Sequence, residues 1–366
     1  MSTKEFEGVL ACPKCGGHIN FCGRHWGCPD CKQRWPVNEY GVARFTDRNV
    51  FFGADQNGMR TLIGEMRKMS ADEFFSNIKR LEETYQDFEY SYCLDPSRAD
   101  WTILGNFQDK VVADLGCGYG TVSIPLALRA RNVIAVDTCE ERLNFLSLIA
   151  CFRGVKNICA IHGDVLNLPL RKNAMDAMIL FGLLEYVGTW GNSQENPMRL
   201  QLDLLSHLRD YLSVGGELWI GIENRLNPLY FIGKTHHGDL PFTPLVPRKI
   251  ADIFNYVIKR TTYKTYTYSK QGYKKLLKQA GYKDVEIYYP FPDYKLPKFI
   301  LSTDKDRLFS KWVAQVGLGP QVKRLHYRIG LKTFQLLDWL KLCGLFVPAY
   351  IIKATKSQIC FEQTGK

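Results

Sequence analysis

Three glycines at alternate positions, Gly116, Gly118 and Gly120, follow Asp114 at the end of an apolar run. Glycine at such a turn permits positive φ and lets a ligand lie against bare backbone. A helix opening directly after it offers unpaired N–H groups, so a nucleotide-like cofactor is the natural occupant. Asp137, about twenty residues further on, ends a second apolar run, where a carboxylate can accept both hydroxyls of a ribose. A separate chemistry belongs to Cys12, Cys15, Cys28 and Cys31. Two Cys-x-x-Cys pairs separated in this way supply four thiolates in a tetrahedron, the closed structural zinc site, with Cys22 and His25 between them as substitute ligands. Glu223, Asn224, Arg225, His236, His237 and Asp239 make a third, polar set. There an imidazole can take a proton from a hydroxyl, although neighbouring histidines equally suit a surface loop or a helix cap.

The elements that must position these groups follow from periodicity. Val111 to Leu115 is a buried strand feeding the glycine turn, and Val122 to Arg131 is compatible with a helix. Further strands are expected over Val133 to Val136, Ile158 to Ile161 and Ala177 to Phe181; the third is followed by Gly163-Asp164-Val165 and the fourth by Gly182-Leu-Leu-Glu185. Pro197 to Leu212 is an amphipathic helix, Glu217 to Ile222 a strand, and Tyr268 to Gly281 a Ser-capped helix followed by a strand over Val285 to Tyr289. Residues 47 to 70 are weakly patterned and read as a connection, Ala71 to Tyr90 as one helix, and Pro96 to Trp101 as another capped by Ser97 or Asp95. From Gln321 to Lys356 basic and apolar residues interleave. Such a helix packs on its own domain or lies on an anionic membrane, with Leu345 to Ile352 as a covering strand.

The order strand, glycine turn, helix, strand ending in Asp, helix, strand followed by Asp closely resembles the class I S-adenosylmethionine-dependent methyltransferases. Val214-Gly-Gly216 ahead of the strand at Glu217 fits the same grammar. The resemblance implies an α/β fold with a seven-stranded, Rossmann-like sheet. It also implies S-adenosylmethionine as cofactor, with Asp114 and Gly116 at the methionine part, Asp137 at the ribose and Asp164 with Val165 at the adenine. Gly118, Gly120 and Phe181 complete the implied cofactor-binding set. Leu10-x-Cys-Pro-x-Cys-Gly-Gly, the second cysteine pair, Trp35-Pro-Val and Tyr40 to Phe45 resemble a zinc ribbon of the methyltransferase-activator type. The Glu223-Asn-Arg and Pro290 to Pro297 blocks are similar to bacterial methyltransferases associated with cell-surface polysaccharide assembly. The expected organisation is a ribbon over 1–46, a linker with N-terminal helices over 47–94, the class I domain over 95–302, and a basic extension with C-terminal α+β additions over 303–366.

Charge bears on the partner. Residues 241–366 carry 23 Lys and Arg against 8 Asp and Glu, a charge of +15, whereas residues 1–240 carry 25 against 29, so the net +11 arises entirely there. That points to an anionic partner. No run approaches the roughly 20 apolar residues of a membrane span, and the first residues are unlike a signal peptide, so the expectation is a cytoplasmic protein with free thiols. Three functions compete: O-methylation of a small molecule or saccharide, including a phosphate-bearing glycan precursor; methylation of ribosomal or transfer RNA guided by ribbon and basic half; and a cofactor-binding scaffold without chemistry. Against RNA, Phe181-Gly-Leu-Leu-Glu185 stands where amino-directed base methyltransferases resemble one another in an Asn-Pro-Pro-Tyr-type tetrapeptide. For O-methylation His237 is the first candidate base and Glu185 the second, with Arg225 or Lys234 as phosphate partners.

Overall fold

The computed structural model describes residues 4–51, 55–85, 88–189, 195–235, 240–302, 332–333, 335–340 and 342–357. The cysteine pairs lie in the turns flanking a small antiparallel sheet of β1 (Asn20–Phe21), β2 (His25–Gly27) and β3 (Arg34–Pro36), with Trp26 opposite Trp35. Both indoles are buried, and Trp35 stacks on Phe45 with ring centroids 5.0 Å apart.

Two compact units make up the chain: Met1–Ile179 with Asp210–Ser213, and Leu180–Arg209 with Val214–Lys366. In the first, β4 (Ala43–Arg44), β5 (Val111–Leu115), β6 (Asn132–Asp137), β7 (Ile158–His162) and the start of β8 (Met175–Phe181) are ordered β8-β5-β6-β7-β4. The β5/β6, β6/β7 and β7/β4 pairs are parallel. Every residue of β5, β6 and β7 is buried, as expected of a parallel sheet covered on both faces. Helices Ser123–Ala127 and Glu140–Phe152 make the crossovers.

Residues 47–70 are not merely a connection. Gln56–Met66 is a helix whose Asp55 side chain accepts from Asn57 N, and it buries Met59, Leu62, Ile63 and Met66. Burying each such side chain contributes about 1.5–3 kcal/mol, which outweighs the helix cost of Gly58 and Gly64. The single helix expected over Ala71 to Tyr90 is broken into Ala71–Ser76, Ile78–Thr84 and Tyr90–Cys93. At the first break Asn77 leaves the helical region (φ −103, ψ 7), and its side-chain Nδ2 donates to Glu73 O at 2.7 Å. Of the two caps considered for Pro96–Leu104, Asp95 serves, accepting from Ser97 N.

The second unit holds β9 (Leu212–Glu223, from Val214 onward), β10 (Tyr282–Phe291), β11 (Phe299–Ser302) and β12 (Ala349–Lys356), in the order β11-β10-β12-β9-β8. All three pairs among β9 to β12 are antiparallel. Ser269 caps helix Lys270–Gln279, and Gly281 at φ +86 ends it, as the sequence predicts. Two expectations are corrected. Among the described residues the large sheet has nine strands and not seven, because β4 and β11 each add an edge within its own unit. The strand expected over Leu345 to Ile352 is not a cover but β12, hydrogen-bonded on both sides. Among the described residues no helix is long and apolar enough to cross a membrane. Most of Gln321 to Lys341 lies outside the described residues.

Candidate functional site

In the first unit the four cysteines converge. Cys12 Sγ lies 3.5 Å from Cys31 Sγ, Cys15 Sγ lies 3.6 Å from Cys28 Sγ, and all four fall within 4.8 Å of one another. Thiolates held at about 2.3 Å from one ion in a tetrahedron stand roughly 3.8 Å apart, so the cluster fits a tetrahedral metal. Tight turns create it: Gly16 N donates to Cys12 O and Lys32 N to Cys28 O. Neither Cys22 nor His25 belongs to the group. The cysteine-bearing segment is knitted into the unit through β4 beside β7, and Asn38 Nδ2 donates to Glu140 and Asn144.

The glycine turn lies at the carboxyl end of β5, beside that of β6. Gly116, Gly118 and Gly120 all have positive φ (71, 53 and 79), but they serve different ends. A Cβ on Gly118 would meet nothing within 4 Å, whereas one on Gly120 would strike Leu146 at 2.6 Å. Gly118 therefore leaves open space against the backbone, and Gly120 admits the helix that carries Leu146. Asp137 ends β6 with Oδ2 accepting from Gly118 N (2.8 Å) and Oδ1 from Cys139 N (2.9 Å). Each oxygen keeps a lone pair for a further donor, so the cradle fits a ribose. Burial pushes the Asp137 carboxyl up, opposed by Arg142 and those two N–H groups. Asp114 is buried with Oδ2 accepting from Ser123 Oγ at 2.5 Å, and burial raises its carboxyl to about 7.

Asp164 accepts from Leu166 N at 3.0 Å and pairs with Arg48 at 3.5 Å, while Val165 is buried. Sequence reasoning missed Glu141, which accepts from Asn49, Gln56 and Arg60 and so ties the Gln56–Met66 helix to the Glu140–Phe152 helix. Against the upward push of burial, those bonds hold its carboxyl below the usual value.

A second polar site lies within the second unit. Glu185 is fully buried and feels the charge of Glu223, whose carboxylate is 3.7 Å from Lys295 Nζ. Burial, and after it the charge of Glu223, pushes the Glu185 carboxyl well above its usual value, which favours its protonated form. Phe181 packs edge-on against Tyr294 with centroids 5.8 Å apart, and Tyr294 also abuts the bare faces of Gly182 and Gly221. The Tyr294 hydroxyl is buried with no hydrogen-bond partner among the described residues. Asn224 pins β9 to the start of β12, its Nδ2 donating to Leu345 O and Val347 O. Arg225 donates to Pro244 O and to Val246 O, the latter at 2.8 Å, so its guanidinium holds a loop. Lys234 is exposed, and His236, His237 and Asp239 lie outside the described residues. Glu223, Tyr294 and Lys295 stand in blocks that the sequence singles out, but their convergence on Glu185 had no local signal.

Comparison with known proteins matches the family model described as "methyltransferase domain" to residues 112–195. A ubiquinone biosynthesis O-methyltransferase of Rickettsia canadensis is 26% identical over 153 residues, 40% of this chain and 59% of that protein. An uncharacterised RNA methyltransferase of Caldanaerobacter subterraneus is 30% identical over 120 residues, 32% of this chain and 23% of that protein. The chain thus spans less than two thirds of either relative. Among solved structures, phosphoethanolamine N-methyltransferase 2 of Haemonchus contortus, with phosphomonomethylethanolamine and S-adenosylhomocysteine, gives a TM-score of 0.39 at 14% identity, covering 71% of this chain and 52% of that one. Over residues 112–195, about a quarter of its length, this chain thus matches the methyltransferase domain family.

Proposed function

We propose that the protein transfers a methyl group from S-adenosylmethionine to an oxygen of a small molecule or saccharide, and that Cys12, Cys15, Cys28 and Cys31 hold one structural zinc. The observation that carries the cofactor reading is the pairing of Asp137, with lone pairs to spare, and the open backbone at Gly118. S-adenosylmethionine supplies an electrophilic methyl; the chain must bind it, orient the acceptor and remove the acceptor's proton. Asp137 takes the ribose, Asp114 and Gly116 the methionine part, and Asp164 and Val165 the adenine. Glu223, ionised beside Lys295, accepts the hydroxyl proton, and the protonated Glu185 behind it steadies the charge. The O-methyltransferase relative supports oxygen as the target. The RNA reading is favoured by the second relative and by the basic segment, and it predicts label in RNase-sensitive material.

Asp137→Ala should weaken S-adenosylmethionine binding by about 1–3 kcal/mol in calorimetry, since a charge-assisted pair of hydrogen bonds is lost. Because Asp137 also braces the Gly118 and Cys139 amides, Asp137→Asn is the conservative control. Unchanged affinity in both variants removes Asp137 from the site. A pH effect follows from Asp114. Its carboxyl titrates at about 7 in the folded chain, and a cationic ligand favours the ionised form. Below that pH binding must first expel the proton, so affinity should rise as pH increases through about 7, with proton release on binding. Asp114→Asn should flatten the dependence; an equally steep variant assigns the effect elsewhere.

A further inference from the structure

The helix Arg248–Lys259 of the second unit is amphipathic with its sides reversed. Its polar side faces the protein. Asp252 accepts from Tyr263 N at 3.1 Å, Arg248 Nη2 donates to Thr267 O at 3.0 Å, and the Arg248 guanidinium lies 3.7 Å from the Tyr266 ring centroid. Only Ala251 and Asn255 are buried, Ala251 against Tyr263 and Tyr266. On the other side Ile250, Ile253, Phe254, Val257 and Ile258 are 42% to 63% exposed. The i, i+3, i+4, i+7 spacing of Ile250, Ile253, Phe254 and Val257 makes a continuous stripe. Just before the helix, exposed Phe242 lies 3.6 Å from where a Cβ of Gly233 would stand, next to the exposed Phe231 and Ile232.

Charge decides what such a stripe meets. Lys249, Lys259 and Arg260 are exposed around it, and the one acid of the helix, Asp252, is turned inward. Residues 241–283 carry ten Lys and Arg against that single Asp. A second copy of this chain on the stripe would bring two such segments face to face and be repelled. An anionic lipid surface satisfies both features: the apolar stripe enters the acyl boundary while the cations meet headgroup phosphates. We infer that this helix docks the protein peripherally on an anionic membrane. The inference does not depend on which acceptor is methylated.

Co-sedimentation of the full chain with vesicles tests it. Binding is expected to phosphatidylcholine vesicles containing phosphatidylglycerol, weak binding to phosphatidylcholine alone, and loss of binding as salt rises. Ile253→Glu with Val257→Glu should weaken association by about tenfold or more, with circular dichroism and S-adenosylmethionine affinity unchanged. Lys249→Glu with Lys259→Glu, which leaves the stripe and the fold untouched, should do the same on the anionic vesicles. Equal binding by both double variants, no binding by the parent chain, or a dimer in solution that Ile253→Glu with Val257→Glu dissociates would each overturn the inference.

Discussion

Glu223→Gln should lower methyl transfer by about 100-fold or more while S-adenosylmethionine affinity stays as it was. Burial and the Glu223 charge push the Glu185 carboxyl up, so in the proposed mechanism Glu223, 3.7 Å from Lys295 Nζ, is the ionised member of the two. An amide there cannot accept a proton. Glu185→Gln replaces a group that is already protonated with one of the same shape, so its loss should stay within about tenfold. A structural role would make both variants suffer alike and leave the pH–rate profile unchanged. The proposed role predicts a profile that rises with pH in the parent and is flat in Glu223→Gln. Parent-like turnover in Glu223→Gln would falsify it.

Cys28→Ser is expected to lose the metal and melt the ribbon. In zinc-finger peptides a structural zinc stabilises the folded site by an apparent 10–16 kcal/mol or so, as much as the roughly 5–15 kcal/mol that separates folded from unfolded in whole domains. Because β4 is hydrogen-bonded to β7, the damage should reach past the ribbon to the sheet edge, lowering the melting temperature of the first unit as well. Metal analysis of protein purified without chelators should give one zinc per chain. The absence of stoichiometric metal, or a Cys28→Ser protein that melts like its parent, would remove the assignment.

How much of this was legible in the chain depended on how local the signal was. The strands β5 to β8, the glycine turn, the Ser269 cap and the cysteine pairs are written in adjacent residues, and the structure places them within a residue or two of expectation. The Gln56–Met66 helix was obscured by two glycines, although Asp55 and the Met59, Leu62, Ile63, Met66 spacing carried its signal. The Glu185–Glu223 pair could not be read, since it joins residues on different elements. Nor could the side on which the 248–259 stripe lies: periodicity shows that apolar residues share a face, but not that the face points outward.

The position of β12 has a consequence for the order of synthesis. It fills the slot between β9 and β10, yet it begins at Ala349, well over a hundred residues beyond Glu223. At about 5–20 residues per second, β9 leaves the ribosome on the order of ten seconds before the strand that will cover its edge. During that interval β9, and β10 once it has been made, present an unpaired row of backbone donors and acceptors, the template on which sheets aggregate. Closing the gap also requires a loop spanning much of the unit, which slows the step. The edge of β9 in the nascent second unit is therefore open to mispairing until β12 arrives.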